Sequence, residues 1–257
     1  MLSEAWQQVR SKLEEEKRLP AGGCILSVCF TGSRVYNLHS DTSDVDLVIV
    51  WAAKTRDLLA IDPPEPLGLP GYSGSIKNPE SERPDYTVHE AKKFCRLLLQ
   101  SDPRCIESLF IDSEKAEILC SEDFNLLKSM RSMFLTKELV SKYLSHAETE
   151  VRRCRKYDAG DRRTSKKVYV AARLLLFAST ILNHEPLSIW MPEDFPPRKT
   201  LIDYKNGIIP GRTLDELQSQ IDSLRVRLET SDLPLDASLA SKPLESWLFQ
   251  IRKSLLV

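Results

Sequence analysis

Two apolar runs of strand length, and what ends one and begins the other, constrain this chain more than anything else in it. The first is Cys24-Ile25-Leu26-Ser27-Val28-Cys29-Phe30, which stops at Thr31-Gly32-Ser33. The second runs from Val45 to Trp51 and is approached through Asp44-Val45-Asp46, with ten residues between Ser33 and Asp44. The β-branched content of the second favours a buried strand. Gly32 lets a ligand approach the backbone with no Cβ in the way. The amides that open the short helix predicted next attract phosphate oxygens, and the Ser33 hydroxyl adds a donor at the same place. Strand alternation puts Asp44 and Asp46 on one face and Val45 and Leu47 on the other. Two carboxylates so placed repel unless a cation lies between them, and hard oxygen ligands of this kind suit Mg²⁺ shared with substrate phosphates.

The rest of the chain reads as an α/β half followed by an all-α half. Trp6, Val9 and Leu13 give a helix over 3–18 with Ser3 as its N-cap. Residues 62–84 hold six of the fifteen prolines and three of the nine glycines, which predicts a long irregular loop that would serve as a lid. Pro84-Asp85-Tyr86-Thr87-Val88 follows as a third strand, then a helix over 89–100 and another starting at Pro103. Beyond residue 121 helices are expected over 121–132, 137–157, 164–184, 213–230 and 236–254. Thr213-Leu214-Asp215-Glu216 opens the fourth of these as a capping box, and 186–212 reads as a proline-broken connector. The expected boundary puts a catalytic unit at 1–120 and a helical, substrate- and nucleotide-binding unit at 121–257.

Gly-Ser, ten residues, then Asp-x-Asp leading into an apolar strand resembles the signature of the DNA polymerase β-type nucleotidyltransferase superfamily. The resemblance implies an α+β fold, a mixed sheet with flanking helices plus a C-terminal helical domain. It implies that Gly32 and Ser33 hold the triphosphate of an NTP and that Asp44 and Asp46 bind two Mg²⁺ ions, with Mn²⁺ as a possible substitute. A third carboxylate from a later strand is best matched by Asp85, with Glu90 the weaker candidate. Segments such as Tyr86-Thr87-Val88-His89-Glu90 and Ser165-Lys166-Lys167-Val168-Tyr169 look like the predicted nucleotidyltransferases found beside RNA ligases in RNA-repair clusters. Two positions depart from that pattern: Asn37, where glycine is common, and Asp102, where asparagine is common. The implied reaction moves a nucleoside monophosphate from an NTP to a hydroxyl acceptor and releases pyrophosphate.

Between Lys142 and Arg173 the chain carries ten Lys or Arg residues against four acids. On a helix starting near Thr164, Lys166 and Arg173 share a face with Tyr169 and Val170 near them. The resemblance implies that this helix lines the cleft opposite the aspartates, with Lys166 and Arg173 on the triphosphate or on the acceptor's phosphates. Arg34, Lys166 and Arg173 would neutralise leaving charge. A solvated helix face is the alternative for the same residues. An RNA end is the first expectation for the acceptor. A protein or small-molecule acceptor is the second, and a non-catalytic protein that keeps the fold is the third. The net charge of −1 requires any nucleic-acid contact to come from a local patch.

The competing chemistries lack their residues. The chain has no Gly-x-x-x-x-Gly-Lys loop, no Gly-x-Ser-x-Gly elbow and no His-Glu-x-x-His helix. His39 reads as a turn residue, and His89, His146 and His184 show no ligand spacing. Composition (42% hydrophobic, 28% charged) excludes disordered and fibrous classes. The longest apolar runs fall far short of the ~20 residues of a membrane span. The opening residues resemble neither a secretory signal nor a transit peptide, and six scattered cysteines without a Cys-x-x-Cys pair suit a reducing compartment. The cytoplasm is the expected location, with the nucleus as second choice.

Overall fold

The second apolar run becomes the centre of a sheet. In the computed structural model, which describes residues 2–15, 23–40, 43–62, 72–75, 85–157 and 161–256, β1 (Cys24–Thr31) pairs antiparallel with β2 (Asp46–Ala52). β2 is buried from Leu47 to Ala52, as a strand covered on both faces must be. Its other neighbour, β4 (Asp85–Glu90), runs parallel to it. Two short edge strands complete a five-stranded mixed sheet of order β3-β4-β2-β1-β5, with β3 at Tyr72–Ser75 and β5 at Glu117–Cys120. The fold is α+β, as expected.

The register of the central strands positions the site. Thr31 pairs with Asp46 across the antiparallel ladder, and Asp46 pairs with Asp85 across the parallel one. The residue that follows β1 and the first residues of β2 and β4 therefore meet at one end of the sheet.

Around the sheet lie α1 (Leu2–Glu15), the single turns α2 (Gly32–Val35) and α3 (Thr55–Leu58), α4 (Ala91–Leu99), α5 (Pro103–Ser108) and α6 (Glu122–Ser129). The helical half follows as α7 (Lys137–Cys154), α8 (Arg162–Leu182), α9 (Pro196–Lys205), α10 (Thr213–Thr230) and α11 (Ser241–Ser254). α7 and α8 form an antiparallel pair joined by Lys167 Nζ to Glu150 at 2.9 Å, and α10 ties to α7 through Arg225 to Glu148 at 2.8 Å. Among the described residues, no helix is long and apolar enough to cross a membrane.

Four expectations need correction. The segment 62–84 is not irregular throughout, because Tyr72–Ser75 adds an edge strand to β4. Its turn-rich composition hides this, since the open backbone edge of β4 supplies the pairing. The remainder of the lid expectation, 63–71 and 76–84, lies outside the described residues. The strand expected at 84–88 continues to Glu90, whose side chain accepts from Lys92 N at 2.7 Å and so opens α4 at Ala91, two residues later than expected. The connector 186–212 contains α9, with Pro196 and Pro197 in the first turn, where a missing N–H costs nothing. Thr213 forms no capping box: it is the first helical residue after an Arg212 N-cap, and its hydroxyl is buried without a partner. β5 gave no periodic signal because it is only four residues long.

α11 brings the C-terminal part of the chain back to the sheet. Arg252 pairs with Glu90 and donates to Ala53 O at 3.2 Å, while Thr55 N donates to Leu255 O at 3.0 Å. This clamp closes the Glu90 end of β2 and β4, opposite the end that carries Asp46 and Asp85. Both partners are mostly buried (side-chain exposure 15% and 14%), so removing one strands the other's charge. Arg252→Ala is expected to lose about 3–5 kcal/mol of stability, read by chemical denaturation, with Glu90→Gln losing less because it can still accept one hydrogen bond.

Candidate active site

β1 ends and the chain turns sharply at Gly32, in the left-handed region at φ 67. The backbone angle favours glycine, and a Cβ there would also press on Asp46 Oδ2, which would have to move aside. The single turn α2 carries Ser33 and ends at Tyr36. Asn37 then reverses the chain at φ 59, with Leu38 N donating to Ser33 O at 2.9 Å. This explains the first departure from the family pattern. Glycine suits such an angle, and asparagine tolerates it while its amide donates to Met191 O at 3.0 Å. The second departure is equally local. Asp102 caps α5 by accepting from Cys105 N at 3.1 Å, a role that asparagine fills as well.

Three carboxylates gather where the strands begin. Asp85 N donates to Val45 O at 2.8 Å, extending the parallel ladder and bringing Asp85 beside Asp46. Asp44 precedes them, exposed, and Asp46 is half-buried. Burial first, then the charges of Asp85 and Asp44, push the Asp46 carboxyl above its ordinary value, with Lys166 and Arg34 opposing. A carboxylate crowded by two others is what a divalent cation relieves, and hard oxygen donors match Mg²⁺. Among the described residues no group of three or more His, Cys, Asp or Glu side chains is placed to hold a metal ion. Glu90, the weaker candidate, is at the other end of its strand and committed to Arg252 and the α4 cap.

The expected cationic residues separate into different places. Lys166 is exposed on α8 and lines a cleft of about 1230 Å³ together with Gly32, Ser33, Asp44, Asp46 and Asp85. Arg34 is directed to the loop before β2, donating to Ser43 O at 2.9 Å and Asp44 O at 3.3 Å, and so holds the backbone that carries Asp44. Arg173 also borders the cleft but is buried. It pairs with Glu107 at 3.4 Å and lies over the Tyr36 ring, 4.0 Å from its centroid. Lys205, on α9, went unnoticed in the sequence because it falls in the proline-rich segment. It donates to Leu38 O at 2.7 Å and Ser43 Oγ at 3.1 Å, and burial followed by Lys166 and Arg34 pushes its pKa down. Glu107 was also missed. It accepts from the Tyr36 hydroxyl and from Tyr143 Oη at 3.0 Å.

The description RlaP, RNA repair pathway DNA polymerase beta family, matches residues 5–207. The chain belongs to this family. Nucleotidyl transfer is accordingly the general chemistry of its fold, and the RNA-repair family match covers both the carboxylate end of the sheet and the helices that face it. Among solved structures, a nucleotidyltransferase-like protein from Exiguobacterium sibiricum 255-15 is similar over 96% of this chain and 79% of its own, at 14% identity and a TM-score of 0.32. So loose a likeness carries no argument. No curated protein matches the chain.

The crowding at Asp46 has a measurable consequence. A carboxyl whose pKa is raised on folding binds its proton more tightly in the native state, so its contribution makes stability fall as pH climbs from the ordinary carboxylate value through the raised one. Asp46→Asn abolishes that fall and is expected to melt higher than the parent protein at neutral pH in the presence of chelator. A lower melting temperature for Asp46→Asn would refute like-charge crowding. Gly32→Ala is expected to lose at least the roughly 1–2 kcal/mol of a left-handed alanine, plus the clash with Asp46, in the same melts.

Proposed function

We propose that the protein is a Mg²⁺-dependent nucleotidyltransferase that moves a nucleoside monophosphate from an NTP to the hydroxyl of an RNA end and releases pyrophosphate. The observation that carries this reading is the register pair Asp46–Asp85 on adjacent parallel strands, beside the Gly32-Ser33 turn. Asp44 and Asp46 would hold both ions, and Asp85 would join the one nearer the acceptor. When bound, the ions supply charge neutralisation and orientation at the transferring phosphoryl group.

The chain's own residues do the rest. Gly32 presents its backbone, and Ser33 its hydroxyl, to the β- and γ-phosphates. Lys166 and Lys205 balance the charge that builds on pyrophosphate. Arg34 acts through the backbone at Ser43 and Asp44 as a positioning residue. The acceptor oxygen bonds to the α-phosphorus as the bond from that phosphorus to the β-phosphate's bridging oxygen breaks. The hydroxyl proton passes to the Asp85 carboxylate. The family description, with its RNA-repair context, and the basic residues of α7 and α8 support RNA as acceptor. All six cysteines are free, which supports a reducing compartment, the cytoplasm first.

Purified protein incubated with α-labelled NTPs, Mg²⁺ and cellular RNA is expected to label RNA. Asp44→Ala, Asp46→Ala and Asp85→Ala should each lower transfer on the order of a thousandfold, and Mn²⁺ should support a measurable rate. Undiminished transfer by the Asp46→Ala protein would overturn the assignment, and label on protein rather than RNA would move the acceptor to a polypeptide.

A further inference from the structure

The cleft is lined at two ends by different charged groups. At one, Asp46 responds to Asp85, Asp44, Lys166 and Arg34, and Lys205 responds to Lys166 and Arg34. At the other end the cleft is lined by Arg173, His146 and Arg104. Arg173 responds there to Tyr36, Glu107, Tyr169 and Tyr143, and His146 to Glu150, Arg173, Arg153 and Arg104. Lys166 and Arg173 are seven residues apart on α8, so the two ends lie roughly 10 Å apart along that helix.

The second end is built but incomplete. Arg173 is 8% exposed, and its plane is set by the Tyr36 ring below it and by Glu107 at 3.4 Å. Its Nε is buried with no hydrogen-bond partner. An unpaired donor of a buried charged group is costly and calls for a partner. Glu107 has little capacity left, because it also accepts from the hydroxyls of Tyr36 and Tyr143. The nearby Glu150 is taken by Arg153 at 2.7 Å and Lys167 at 2.9 Å. Arg104, exposed on α5 and lining the same cleft, enters no ion pair among the described residues. Burial pushes the pKa of His146 down, with Glu150 opposing and the surrounding arginines adding to the fall. Two arginines thus line the cleft, Arg173 held by the buried Glu107 and Arg104 in no ion pair among the described residues.

We infer that this end is an anion subsite in which Arg173 and Arg104 take a backbone phosphate of the acceptor RNA strand, with Glu107 as the positioning residue that aims Arg173. The assignment rests on the nucleotidyl-transfer reading for the direction of the strand. The triphosphate is held at the other end, by the Gly32-Ser33 turn beside the carboxylates, and a phosphate some 10 Å away along α8 belongs to the second substrate. The planar guanidinium fork is suited to a phosphodiester.

Binding of a short fluorescein-labelled single-stranded RNA to the full-length protein, followed by anisotropy without NTP or metal, tests the subsite independently of any transfer. Arg104→Glu is expected to weaken binding about tenfold or more and to reduce the slope of log affinity against log salt by about 0.7 or more, the share of one phosphate contact on a single strand. Lys115→Glu, the same charge reversal outside the cleft, should leave both unchanged. Arg173→Lys keeps the charge but loses the fork, and Glu107→Gln loosens it. Both should weaken RNA binding while ATP affinity, measured separately, holds. Unaltered RNA binding in Arg104→Glu and Arg173→Lys would overturn the subsite, as would weaker ATP binding in place of weaker RNA binding, or polyglutamate competing as well as RNA. A protein that binds RNA through Arg104 but transfers no label would leave the subsite standing and refute the nucleotidyl-transfer reading instead.

Discussion

Negative charge concentrated at one end of a sheet is the constraint around which the site is organised. β2 must be apolar to sit at the centre, yet its first residue is Asp46, paired in register with Asp85 and preceded by Asp44. Without compensation, three carboxylates there oppose folding. The surrounding structure answers with Lys166 and Arg34, and with a glycine whose missing side chain leaves room for the Asp46 carboxylate. Under the proposed function the crowding is useful, because a site meant for divalent cations and phosphates would be poorly satisfied without them.

The opposite end of the same strands is finished differently. Glu90 and Arg252 form a mostly buried pair that also touches the backbone at Ala53, so the last helix fixes the sheet where no chemistry is expected. One end of β2 and β4 is closed by matched charges and the other left open by unmatched ones. The helical half follows a related pattern. Most charges between α7, α8 and α10 are paired, as in Lys167 with Glu150 and Arg225 with Glu148. At the cleft the pattern is mixed: Arg173 is paired with Glu107, while Lys166 and Arg104 enter no ion pair among the described residues.

Legibility in the sequence followed the range of the interactions. The Gly-Ser turn and Asp-x-Asp approach were readable because each lies beside an apolar strand, and strand alternation is a local rule. Asp85 was readable because it opens a β-rich segment after a proline. β3 and β5 were not, since four residues hold too little periodicity and their pairing depends on the strand beside them. α9 was hidden by prolines that mark a helix start as well as a loop. The roles of Lys205 and Glu107 were not assigned, because what distinguishes them is partners more than thirty residues away, such as Leu38 and Tyr143.

The amino-acid sequence by itself determined the chemistry on offer: a glycine-serine bend, hard oxygen ligands at strand openings and a basic helical stretch, all set by residue type and spacing within a few turns of chain. Tertiary structure alone decided how the cations divide. Arg34, Lys166 and Arg173 look alike in sequence, yet one braces a loop, one faces the carboxylates and one is buried against tyrosines. Charge acts over distances set by packing, and packing brings together residues that the chain order keeps far apart.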